Sequence, residues 1–289
     1  MRKARASLHF HNARMNHVHG CCRRFAAACA LALSGLAWGG TISAPELAVI
    51  YVSSVDRKLV VPPEETQRYA GLAELAFGRA SIRPAGPQYV LVVDRDPHVQ
   101  AALLLWRSGD GVYQLVGASP VSTGAPGTFD HFQTPLGVFE HGPWNPDFRA
   151  EGTFNQNGIR GYGGKGMRVF DFGWQRAPKG WGDGAPIDMR LQMHATDPDA
   201  LEPRLGSAQS KGCVRIPGTL NRLLDHYGVL DANYEEAAAE GRAFWVLDPQ
   251  GEPVAAPGRY VVVVDSGLSE RPEWSPMPVL RHVPLRRNR

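Results

Sequence analysis

Short runs of β-branched and aromatic residues, punctuated by glycine and proline, set the texture of the chain from residue 88 onward. Residues 89–93 (YVLVV), 101–106 (AALLLW) and 112–118 (VYQLVGA) read as strands, with Gly109-Asp110-Gly111 as the turn between the last two. Residues 189–194, 244–247 and 260–264 read as later strands, and a short one is expected at 47–52. Helical patterns are fewer. Pro62-Pro63-Glu64-Glu65 puts proline and acids where a first helical turn favours them. That helix is expected to reach about Ala80, with Tyr69, Leu72, Ala73, Leu75 and Ala76 on one side. Residues 219–227 predict another, with Leu220, Leu223 and Leu224 inward and Gly228 as its stop. Residues 142–188 are rich in glycine and aromatics but weakly periodic. They are expected to be long loops on a β scaffold, of the functional or lid-like kind. The tail after Glu270 carries several prolines and is expected to be poorly ordered. The fold class is mainly β, with long loops and a few short helices.

The first 40 residues stand apart. Arg2, Lys3, Arg5, Arg14, Arg23 and Arg24 precede an apolar run from 25 to 38, too short to span a bilayer and followed by small residues. The segment reads as a cleaved export signal, with Met15 as an alternative start, cleavage near Gly39 or Gly40, and an uncleaved anchor as the runner-up. This changes the charge argument. The chain holds 31 Lys+Arg against 28 Asp+Glu, and removing six bases and no acids leaves 25 against 28. The basic balance therefore belongs to the leader and gives no support for a nucleic-acid partner, which needs a basic patch on the folded domain. Arg281, Arg286, Arg287 and Arg289 read as a solvated tail. The expected organisation is a signal peptide at 1–40, a helical extension at 41–87, a β-rich main domain at 88–248 and a partly disordered extension at 249–289. After signal cleavage no stable membrane insertion is expected, and the expected location is the periplasm.

Removal of the leader takes Cys21, Cys22 and Cys29 with it and leaves Cys213 alone. A lone cysteine with histidines elsewhere is a candidate nucleophile, although free cysteine is also a common buried hydrophobe. In Ser210-Lys211-Gly212-Cys213-Val214-Arg215-Ile216, an extended chain would set Lys211, Cys213 and Arg215 on one face and Val214 and Ile216 in the core. Two flanking cations would favour the thiolate. The N–H groups of Gly212 and Cys213 are candidate oxyanion donors. The mature chain offers His98, His131, His141, His194, His226 and His282 as bases. One cysteine and scattered histidines give no zinc-ligand spacing, and neither metal nor cofactor is expected.

His194, followed after fifteen residues by Ser210-Lys211-Gly212-Cys213-Val214-Arg215, resembles the signature of the L,D-transpeptidase catalytic domain family (YkuD-type). Val121-Ser122-Thr123-Gly124 and Thr134-Pro135-Leu136-Gly137-Val138-Phe139 resemble two further segments of that family, in the same order. The resemblance covers roughly residues 88–248. It implies a β-sandwich with Cys213 as nucleophile at a groove rim, His194 as base, and the Ala195 carbonyl orienting that histidine. Ser210, Lys211, Gly212 and Arg215 would support the site. Lys211 departs from the histidine that many members carry there, which leaves His194 alone as proton carrier. The implied activity is thioester acyl transfer on peptidoglycan stem peptides, with carbapenem-type inhibitors as mimics of the donor. Tyr162, Phe172, Trp174 and Trp181 are groove or lid candidates, with ordinary packing as the competing reading. The rival readings are an L,D-carboxypeptidase or thiol hydrolase, and a non-catalytic wall-binding module on the same fold.

Overall fold

The structure, a computed structural model, describes residues 42–279. The expected export segment and the terminal arginine cluster lie outside these residues. The elements begin with α1 (Ala44–Ser54), α2 (Pro63–Arg79), β1 (Gln88–Asp94), β2 (Ala101–Arg107), β3 (Tyr113–Pro120), β4 (Gly137–Glu140) and β5 (Phe148–Arg149). They continue with β6 (Arg168–Pro178), β7 (Pro186–Ala195), a 3-10 turn (Glu202–Arg204), β8 (Val214–Ile216), α3 (Gly218–His226), α4 (Ala232–Ala239) and β9 (Tyr260–Val264). The fold is mainly β, with two mixed sheets and a few short helices. One sheet runs β3-β2-β1-β9-β4 and the other β5-β6-β7-β8. Each contains one parallel pair, β1 with β9 and β7 with β8.

The unbroken apolar run of β1 has a plain cause, because both of its faces are buried. Leu91 and Val93 enter a core shared with Phe170, Leu191, Met193, Val214 and Ile216 of the second sheet. Val90 and Val92 enter another, closed by Tyr69, Ala73 and Phe77 of α2. Full burial of a side chain such as Phe77 is worth roughly 1.5–3 kcal/mol. The Tyr69 hydroxyl donates to Asp94 at 2.6 Å, which fixes α2 against the end of β1. Leu75, expected on the inward side of α2, is instead 59% exposed. Among the described residues no helix is long and apolar enough to cross a membrane.

Several expectations are corrected. Residues 47–52 are helical rather than extended, as part of α1. The Glu46 carboxylate accepts from both the Ser43 N–H (2.9 Å) and the Ser43 hydroxyl (2.6 Å), capping the first turn. Leu47 and Tyr51, four residues apart, then share one buried face. The 142–188 region is not loop throughout. β6 and β7 form the longest hairpin of the fold, disguised by a register shift between Asp171 and Trp174 that breaks the alternation. Residues 244–247 form a turn, with Phe244 packed on Tyr234 and Val246 buried. The tail as far as Val279 is tied down. Ser275 donates to the carbonyl of His98, Arg271 to that of Pro97, and Trp274 packs edge-on against Tyr69. The segment expected as a C-terminal extension also supplies β9, an interior strand of the five-stranded sheet.

Candidate functional site around Cys213

Three stretches far apart in sequence meet at Cys213. Ser122 bridges Arg215, and Gly124 bridges Ser210, so residues 121–124 run alongside the turn into β8. Thr134 locks the arrangement. Its hydroxyl accepts from the Gly124 N–H (2.8 Å) and donates to the Gly212 carbonyl (2.7 Å). The glycines are demanded by the fit. A Cβ on Gly124 would fall 2.0 Å from the Phe132 carbonyl oxygen. Gly212 has φ +131 and the Met189 sulfur 2.8 Å from where a Cβ would stand. Ser210 closes the elbow, its hydroxyl donating to the Cys213 carbonyl (2.6 Å) and accepting from the Gly212 N–H (3.0 Å). The Gly212 N–H, expected as an oxyanion donor, is therefore already engaged. The Cys213 N–H takes no loop or turn hydrogen bond among the described residues and remains the donor at the elbow.

β7 brings His194 to the same surface. The parallel register pairs Met193 with Val214 and His194 with Arg215. Side chains alternate along a strand, so Gln192 and His194 share one face with Cys213 and Arg215, while Met193, Val214 and Ile216 enter the core. Only 214–216 are strand, however, and the bend at 211–213 turns Lys211 away from the face expected for it. Lys211 is exposed and pairs with Asp130 at 2.6 Å.

His194 is buried. Its Nδ1–H donates to the Ala195 carbonyl at 2.6 Å, which leaves Nε2 as the lone-pair nitrogen. Burial, with the Arg215 charge adding to it and the carbonyl opposing, lowers its pKa to about 4. The Tyr162 ring packs edge-on against it at 4.7 Å between centroids. Cys213 is half-buried, and its sulfur lies 3.8 Å from the Arg190 carbonyl oxygen. Burial pushes this thiol up from its ordinary value, against the Gln192 backbone and Arg215, which favour the thiolate, while Asp171 adds to the rise. The expected partly ionised resting thiol is thereby corrected. One cation faces it instead of two, and desolvation outweighs that cation. Both shifts favour the uncharged forms, and no hydrogen bond joins the two residues, the His194 ring bonding the Ala195 carbonyl and the Cys213 sulfur facing that of Arg190.

A polar network on the same face was missed in the sequence. Asp171, 1% exposed, accepts from Arg190 Nε (2.8 Å), Gln192 Nε2 (2.7 Å) and the Gly173 N–H (2.8 Å). The Tyr162 hydroxyl donates to Gln192 at 3.2 Å. The period-two spacing of Arg190, Gln192 and His194 was the signal that could have revealed it. Of the aromatic candidates, Tyr162 reaches the site and also lines a cavity of about 590 Å³ with Phe148 and Phe154. Trp174 is exposed and directly opposite Arg190. Trp181 packs on Phe129 and Phe132, beside the elbow. Phe172 is a core residue, not a lid.

No family model matches the chain, and no curated protein matches it.

Of the other histidines, His131 lies in the loop beside the elbow, next to Phe132, with its Nδ1 buried and unpartnered among the described residues, and the rest are engaged elsewhere or lie outside those residues. His98 sits 3.3 Å from Asp96 and His226 3.0 Å from Asp248. His141 is fully buried beside Asp147, Arg168 and Asp231. His282 lies outside the described residues. Among those residues, no cluster of three or more His, Cys, Asp or Glu side chains is placed to hold a metal ion.

Proposed function

We propose that the chain is an L,D-transpeptidase, exported to the periplasm, that acts on peptidoglycan stem peptides through a thioester on Cys213. The observation that carries this reading is the pair of Thr134 hydrogen bonds, which join the three family-like segments at the one cysteine of the described residues. The two sheets and their shared core agree with the β-sandwich that the resemblance implies.

In this reading the Cys213 proton passes to His194 Nε2 as sulfur attacks the carbonyl carbon at the L-centre of the donor's diamino acid. The Cys213 N–H meets the developing oxyanion. Collapse breaks the C–N bond, and the imidazolium returns its proton to the departing D-residue. A low histidine pKa suits this half of the cycle, because the imidazolium is then a strong acid. An acceptor amine next attacks the thioester, gives its proton to His194 and regenerates the thiol, leaving a crosslink. Water in place of the amine gives the carboxypeptidase outcome.

The test is intact-mass measurement after incubation with a carbapenem and, separately, with a defined tetrapeptide donor. One adduct is expected on the wild type and none on Cys213→Ala. Equal adduct yield on Cys213→Ala would remove Cys213 as nucleophile. Peptidoglycan binding without any adduct would favour the non-catalytic wall-binding module.

A further inference from the structure

We infer, on the basis of the acyl-transfer reading above, that Arg190 is the receptor for the terminal carboxylate of the donor peptide's leaving residue. Arg190 lies on β7 two residues before Gln192 and four before His194, and so shares their face. Its own carbonyl oxygen is the Cys213 sulfur's neighbour at 3.8 Å. The side chain is 42% exposed yet fixed, because Nε donates to the buried Asp171. The charge of Asp171 is met as well by the Gln192 amide and the Gly173 N–H, so the carboxylate holds the guanidinium by one corner without consuming it. Nη1 and Nη2 make no hydrogen bond or ion pair among the described residues. That open edge has the fork geometry that takes a carboxylate through two parallel bonds.

The other two cations near the elbow are less available, Lys211 because it is ion-paired and Arg215 because it is less exposed than Arg190. Lys211 pairs with Asp130, and Arg215 donates to the Gln209 carbonyl. Trp174, 67% exposed and directly opposite Arg190 on β6, adds an apolar wall beside the fork. The geometry suits the leaving residue. Its carboxylate lies one residue, ~3.8 Å of chain, beyond the carbonyl that Cys213 attacks. The inferred ligand is therefore a peptide ending in a free carboxylate, with the reacting carbonyl one residue before that end.

The experiment compares a tetrapeptide donor ending in a carboxylate with the same peptide ending in a carboxamide. It measures the ratio of their acylation kcat/KM values on the wild type, Arg190→Gln and Arg190→Lys. The wild type is expected to favour the free acid by roughly 10- to 100-fold, the weight of a charge-assisted hydrogen bond. The ratio should fall to near one in Arg190→Gln and be partly restored in Arg190→Lys, which keeps the charge but not the fork. A ratio unchanged by Arg190→Gln overturns the inference, as does an equal loss for both donors, which marks a structural role. Calorimetric binding of both peptides to Cys213→Ala, with and without Arg190→Gln, separates the two ideas. Arg190-dependent preference for the free acid in a protein whose parent never acylates sinks the reaction and keeps the receptor. Acylation without that preference sinks the receptor alone.

Discussion

His141 and His194 are both buried, and their surroundings drive their protonation in opposite directions. His141 has an acceptor at each nitrogen, the Leu230 carbonyl at 2.8 Å from Nδ1 and the Asp147 carboxylate at 2.9 Å from Nε2. Both nitrogens must donate, which makes the ring an imidazolium. Burial alone would lower its pKa, but the Asp147 charge and hydrogen bond override burial and raise it. The fully buried Arg168 joins it, with 2.7 and 2.8 Å bonds to Asp231, one of 2.7 Å to Asp147 and Asp225 at 3.5 Å, so the two cations sit among three carboxylates. His194 has one acceptor, a neutral carbonyl, and its nearby charge is the cation Arg215. Depth does not decide the charge of a buried histidine. The partner does, and only the histidine without a carboxylate keeps a lone pair to offer.

Exchanging each ring for glutamine tests the contrast most directly. His194→Gln is expected to slow Cys213 acylation by roughly 10²–10⁴-fold, the usual weight of a positioned acid–base group. Wild-type rates from that variant would take the base assignment away. His141→Gln is expected to be read in stability instead. It strands Asp147 beside Arg168 and should cost about 3–5 kcal/mol in urea unfolding. A loss below about 1 kcal/mol would mean the cluster is not the interlocked ionic unit described here.

The pH response sharpens the same comparison. His194 has its folded pKa lowered to about 4, so protons prefer the unfolded chain. Stability is lost as pH falls from the ordinary value near 6.5 towards 4, by on the order of 3 kcal/mol. His141 has its folded pKa raised, so its contribution is full below the ordinary value and fades as pH rises through the folded one. Unfolding curves of wild type and His194→Gln should converge near pH 7 and part towards pH 4. Parallel curves would contradict a neutral buried ring.

Smaller effects concern the cations. Iodoacetamide alkylation of Cys213 in the absence of substrate should rise with a midpoint above the ordinary thiol value, because burial outweighs Arg215. A midpoint at or below neutrality would restore the ionised resting thiol. Lys211→His should change stability by no more than about 1 kcal/mol, since the exposed pair with Asp130 carries little energy.

The site was legible in parts. Cys213, His194 and the segments at 121–124 and 134–139 stood out because a tight elbow admits few residues, as the fits of Gly124 and Gly212 show. What joins them was not legible, because nothing in the sequence says that Thr134 meets Gly212. Asp171 was hidden for a different reason. The register shift after it destroys the alternation that would have placed it beside Gln192. The same limit explains Lys211, which alternation assigns to the thiol's face and the bend sends to Asp130. For α1, the β-branched run outweighed the Ser43–Glu46 capping signal, although that signal was present. The alanine-rich α4 was missed in the same way, with Asp231 at its start and strong helix formers behind it.

The place of β9 has a consequence for how the chain is made. Its five residues are made after every other strand among the described residues, yet they lie between β1, finished about 166 residues earlier, and β4. Until they arrive, two strands of the first sheet present unpaired edges, the template on which chains pair with one another. A product cut short after β8 would therefore lack the strand that joins β1 to β4 and would carry two adhesive borders, rather than being a shorter version of the same fold. The closing contact spans a long loop of sequence, so the final step is expected to be slow relative to formation of the β1–β2–β3 meander. Late arrival of this interior strand makes residues 260–264 the gatekeeper of the chain's solubility.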